Sequence, residues 1–171
     1  QYSHATHYNG SSAYTSFPTL KWDEIAANNN FTFMTWVNAD HTSNWSRIFD
    51  SGKGTSNFFF VTVSQDGHRG TGAQGRPFIA FKNSGAEYYI ECNRSVTDYS
   101  WYHLAFVYTN GTPDIYINGQ QATLRYSNWN TGQRLKDLGT TTQNYIGKAM
   151  FWQDPYLSGS VDETSLWNKA F

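Results

Sequence analysis

Short runs rich in Phe, Tyr, Trp, Val, Ile and Thr recur along this chain, each closed within about ten residues by Gly, Asn, Asp or Pro. That rhythm suits pleated strands and leaves little room for helix. Residues 114–117 and 120–124 flank Asn118-Gly119, a pair that tolerates positive φ at both positions and so predicts a type I′ hairpin turn. Asn9-Gly10, between residues 3–8 and 13–17, reads the same way. In FTFMTWV, Phe31, Phe33, Thr35 and Val37 share one face, and Thr32, Met34 and Trp36 the other. Both faces are apolar, so this strand is expected at the centre of a sheet, covered on both sides. Further strands are expected at 46–50, 58–64, 78–81, 87–92, 101–108, 145–147 and 158–167, with one short helix or helical turn within 22–30. The set predicts an all-β fold, a two-sheet antiparallel β-sandwich of the jelly-roll kind.

Composition agrees. Aromatic residues make up 18% of the chain and charged residues 15%, a balance that favours pleated surfaces over helix faces. A length of 171 residues suits one domain with one core, expected over 1–171. Net charge is −1 with Lys and Arg scattered, so nothing matches a phosphate backbone and nucleic acid is not an expected partner. No apolar run is long enough for membrane insertion as a helix. The single cysteine, Cys92, excludes an internal disulfide and is read as a small buried hydrophobe. The chain opens on Gln1 with no signal peptide and is read as a module of a longer, multidomain protein. Asn-x-Ser/Thr triplets begin at Asn9, Asn30, Asn44, Asn93 and Asn110, but a chain this rich in those residues contains them by composition alone.

Three stretches carry a family resemblance. FTFMTWVNADHTSNWSRIFDSG (31–52), WYHLAFVYTNGTPDIYINGQ (101–120) and NYIGKAM followed by LSGSVDETSLWNKAF (144–171) stand in the order and spacing of laminin-G-like domains. By these motifs the chain resembles the concanavalin A-like lectin/glucanase superfamily. Residues 53–100 depart more, and the Gly-rich HRGTGAQGRP (68–77) has no equivalent; it is read as a flexible hairpin loop. The resemblance implies the same sandwich. It also implies that Asp162 helps hold a structural Ca²⁺, completed by carbonyls and water.

That superfamily includes glycoside hydrolases, whose chemistry needs two carboxylates about 5–5.5 Å apart in retaining enzymes. The family's Glu-x-Asp-x-Glu strand is absent here. Glu87 and Glu91 share strand parity but stand about 13 Å apart along a strand. The five histidines form no metal cluster, and His103 is read as structural. The chain is therefore expected not to be an enzyme.

Aromatic residues in polar, turn-rich company point instead to sugar binding. These are Trp45, Tyr126, Trp129, Trp152 and Tyr156, whereas Phe31, Phe33, Phe106 and Trp101 are core by pattern. A loop buried with its backbone unpaired is costly, so such loops belong at the surface. A flat ring there covers the apolar face of a pyranose while neighbouring polar groups bond its hydroxyls. Arg47 alternates with Ile48 and is placed on an outer or concave surface, there to hold a hydroxyl or carboxylate or to pair with Asp40 or Asp50. The leading expectation is a secreted or cell-surface carbohydrate-binding module. It would be monomeric, covalently linked to other domains, and carry a polysaccharide-degrading enzyme to its poly- or oligosaccharide. The alternative is an adhesion domain that recognises protein.

Overall fold

In a computed structural model, described for residues 4–40, 44–64, 75–129 and 132–171, the regular secondary structure is almost entirely antiparallel sheet. The strands are β1 (Thr6–Asn9), β2 (Thr15–Ser16), β3 (Leu20–Lys21), β4 (Asn30–Ala39), β5 (Arg47–Gly52), β6 (Asn57–Thr62), β7 (Phe78–Asn83) and β8 (Glu87–Cys92). They continue with β9 (Tyr102–Thr109), β10 (Thr112–Ile117), β11 (Gln120–Ala122), β12 (Leu124–Ser127), β13 (Thr140–Thr141), β14 (Gln143–Ile146) and β15 (Ser158–Trp167). A six-stranded sheet runs β1-β15-β4-β9-β10-β11 and a seven-stranded sheet runs β12-β8-β7-β6-β5-β14-β2. A small third sheet joins β13 to β3. This is the expected jelly-roll sandwich.

Strand alternation builds the core. On β4, Phe31, Phe33 and Val37 point inward and are fully buried. They meet the inward residues of the facing sheet: ring centroids are 5.7 Å apart for Phe31–Phe59 and 5.4 Å for Phe33–Phe49. Phe59 also lies 5.5 Å from Phe106. Each such pair contributes about 0.5–1.5 kcal/mol beyond its buried area. The short helix α1 (Trp22–Ile25) puts Trp22 at one end of this core, where its Nε1 donates to Ser51 Oγ at 2.8 Å. Asn118 and Gly119 have φ of 52° and 73° and close β10 onto β11, as the sequence predicts.

Several expectations need correction. Asn9-Gly10 does turn the chain, with Asn9 Oδ1 accepting from the N–H groups of Ser11, Ser12 and Ala13. It makes no hairpin, however: β1 pairs with β15 and β2 pairs with β14, in different sheets. Turn chemistry reverses the chain locally, but burial chooses the partner strand. The stretch 120–124 divides in the same way, with β11 in one sheet and β12 in the other. The short helix or helical turn expected within 22–30 is there, as a single turn. Trp101 is not core; it precedes β9 and is 45% exposed. The outer face of β4 is only half covered, with Met34 and Trp36 partly exposed and Trp36 set edge-on to His103 at 5.3 Å. Residues 68–74 of the Gly-rich segment lie outside the described residues.

Candidate functional site

Strand register decides where the loops go. The connections that follow Asn9, Ala39, Thr62, Cys92, Ile117 and Ile146 all leave from one end of the sandwich. Trp45 and Arg47 lie at that end, and the connection that carries Trp152 and Tyr156 leaves from it and folds back over the outer face of the seven-stranded sheet, where Phe151 reaches Phe58.

The outer face of the seven-stranded sheet supplies the base. Phe58, Phe60, Phe78, Ala80 and Tyr89 project from it as a second buried cluster, separate from the main core. Phe58 stacks on Phe60 at 5.2 Å, and Phe78 on Tyr89 at 5.4 Å. The cover comes from Trp45, Met150 and Phe151. Trp45, at φ 68°, meets Phe78 edge-on at 5.7 Å. Phe151 meets Phe58 edge-on at 5.4 Å.

Arg47 ties this cover to the sheet. Its guanidinium carbon lies 3.8 Å from the centre of the Phe60 ring. Nη2 donates to Asp154 Oδ2 at 2.6 Å, and Nη1 donates to the Trp45 carbonyl. Nε sits 3.3 Å from Asp50 Oδ2, an ion-pair distance. Asp50 Oδ2 in turn accepts from the Met150 N–H at 3.0 Å. Arg47 is thus buried in a network, not displayed on a surface, and of its two expected partners it takes Asp50. Burial pushes the Asp50 carboxyl up to about 6, outweighing the pull of Arg47 and of the Met150 N–H. Its other oxygen, Oδ1, has no hydrogen-bond donor among the described residues.

Trp152 follows Phe151 directly and is 88% exposed. The backbone that carries it is held by Met150 N–H, by the Phe151 ring and by Asp154. Beside it along the chain, Tyr156 is half-buried and 6.2 Å from Tyr14, which is 46% exposed and lies edge-on to Tyr145 at 5.8 Å. Lys148 Nζ stands 4.4 Å over Tyr14 and 4.9 Å over Tyr145.

The remaining expected residues lie elsewhere. Tyr126 is on β12, in register with buried Glu91, which has Arg76 and Arg125 nitrogens at 3.7 and 3.5 Å; the Tyr126 side chain is outside the described residues. Trp129 is packed onto the main core, 5.9 Å from Phe81 and 5.8 Å from Tyr108. Asp162 sits opposite Trp36 at a bulge of β15, its Oδ1 accepting from the Glu163 N–H at 2.8 Å. Among the described residues no three His, Cys, Asp or Glu side chains converge on a metal position. A Ca²⁺ at Asp162 would therefore draw most of its six to eight oxygens from carbonyls and water, so the fit is that of one carboxylate and not of a side-chain cage. Sequence reasoning missed Asp154, which is 107 residues from Arg47 and carries no local signal.

A family model described as the concanavalin A-like lectin/glucanases superfamily matches residues 9–171. The chain belongs to that superfamily. No curated protein sequence matches it. Among solved structures it is similar to domain 4 of AbnA, a GH43 extracellular arabinanase from Geobacillus stearothermophilus, in complex with arabinotriose. The TM-score is 0.69 at 18% identity, covering 98% of this chain and 71% of that one. The CBM40 of the Ruminococcus gnavus IT-sialidase superposes with a TM-score of 0.70 at 11% identity, over 99% and 92% of the two chains. Domains LG4-5 of the mouse laminin alpha1 chain give 0.62 at 12%, over 98% of this chain and 43% of that one. At these identities the likeness shows the fold.

Proposed function

We propose that this domain is a non-catalytic carbohydrate-binding module whose platform is Trp152. One observation carries the reading: the most exposed large ring of the described residues stands on a loop bolted to the sheet by a buried arginine network. An indole left in water contributes nothing to folding, whereas covering such a side chain is worth about 1.5–3 kcal/mol. A fixed backbone spares the ligand the cost of ordering it. The apolar face of a sugar ring meets the indole, and Tyr156, on the same connection, offers a further ring beside Tyr14. Support comes from neighbours of the same fold, one solved with arabinotriose and another with α2,3 sialyllactose.

On this reading the module acts outside the cell or at its surface. It holds an attached polysaccharide-degrading enzyme on its substrate by raising local concentration. A structural Ca²⁺ at Asp162 belongs to the same proposal. The test is a glycan array followed by titration of the best binder. Trp152→Ala is expected to weaken binding at least tenfold, with stability unchanged within about 0.5 kcal/mol. An array with no binder, or a variant that binds as tightly as the parent, overturns the reading.

A further inference from the structure

At the same end of the sandwich, a cleft of about 150 Å³ opens between the connection from β8 to β9 and the turn from β10 to β11. It shares no residue with the Trp152 loop. Drug-sized ligands occupy roughly 300–1,000 Å³, so this volume suits one small ring. Its walls are polar: Arg94, Ser95, Thr97, Ser100 and Asn118 line it together with Trp101. Trp101, itself 45% exposed, borders the cleft.

The cleft is preformed. The 93–101 connection is held by Asn93 N–H on the Thr123 carbonyl at 2.9 Å, Val96 N–H on Gly75 at 2.7 Å and Tyr99 N–H on Ala39 at 3.1 Å. Arg94 Nη1 donates to the Ile117 carbonyl and to Gln120 Oε1, each at 3.2 Å, which fixes the guanidinium by one terminal nitrogen. Nη2 and Nε have no partner among the described residues. Asn118 Oδ1 accepts from the His103 N–H at 2.8 Å, which orients its amide nitrogen as a donor. Among the described residues Arg94 is the one charged side chain in the lining.

We propose that this cleft is a second binding site, for a single sugar ring bearing a carboxylate, of the uronic acid kind. The ring's C–H face stacks on Trp101, and Ser95, Thr97, Ser100 and Asn118 exchange hydrogen bonds with its hydroxyls. The guanidinium takes the carboxylate in a charge-assisted, two-pronged bond, for which arginine geometry is suited. The site stands independently of the Trp152 platform.

Methyl glucuronide and methyl glucoside, which differ at C6, are the probes, read by amide shifts of the domain in two-dimensional NMR. Saturable shifts are expected at residues 94–102 and 118, with the glucuronide at least tenfold tighter. Arg94→Ala is expected to erase the preference, and Trp101→Ala to abolish both titrations. Ser95→Trp fills the cleft from an exposed position and answers the same question if Trp101→Ala loses its fold. Trp152→Ala is expected to leave these titrations unchanged, which separates this site from the platform. Absent or scattered shifts, equal affinity for the two glycosides, or a preference that survives Arg94→Ala would overturn the proposal.

Discussion

Replacing Arg47 by Met probes the network beneath the Trp152 loop. Methionine keeps much of the side chain's volume over Phe60 but removes the cation. Asp50 is then buried without its counter-charge, and Asp154 and the Trp45 carbonyl lose a donor. Breaking a buried pair from one side costs about 3–5 kcal/mol. The cost depends on pH, because Asp50 can escape it by taking a proton. In the wild type its folded value, about 6, already lies above the ordinary 3.8. A carboxyl raised in this way adds stability that is fully present below about pH 4. That stability is lost as pH rises through about 6, a swing of about 3 kcal/mol. Without Arg47 the folded value climbs further. The variant is therefore expected to lose about 3–5 kcal/mol at about pH 8 but only about 1–2 kcal/mol at about pH 5, where the carboxyl is neutral. Urea unfolding at both pH values measures this from midpoints and slopes. An equal loss at the two pH values, or a loss below about 1 kcal/mol at the higher one, would refute the argument that a buried ion network pins the loop.

Other consequences are simpler to check. Gly147 has φ +81°, and a Cβ there would fall 2.5 Å from a ring carbon of Tyr8, so Gly147→Ala is expected to lower stability by about 2–4 kcal/mol in the same urea assay. Burial pushes the Cys92 thiol up to about 11, so it is expected to resist alkylation in the folded protein at neutral pH and to react once denaturant is added. A Ca²⁺ bound at Asp162 is expected to raise Tm in excess calcium over excess chelator, and Asp162→Asn to remove the difference; coincident melting curves in the parent would retire the ion.

Much of the fold could be read from residue order. Alternation in 31–37 and 101–108, the Asn118-Gly119 turn and the motif order all report local chemistry, which a single strand or turn expresses in its own sequence. The candidate site was legible only in part. Trp152 and Tyr156 stand out because flanking Asp, Pro and Gly mark a surface loop, and Arg47 stands out for its place beside Ile48. Trp129 and Trp101 mislead for opposite reasons. The polar surroundings of Trp129 hide a ring that folds back onto Phe81, Phe106 and Tyr108, and the strand pattern around Trp101 extends one residue past the strand.

The sequence by itself determined a two-sheet antiparallel sandwich, its superfamily motifs and a store of rings larger than loops need. Those are consequences of strand period, turn preference and composition, which act over a few residues. Only the tertiary structure decided that Arg47 is a buried bolt, that Phe151 is cover while Trp152 stands exposed, and that Trp101 and Arg94 border one cleft. Each depends on which strand lies beside which and on burial by distant segments. Asp154 reaches Arg47 across 107 residues through sheet register, a relation that no local pattern encodes.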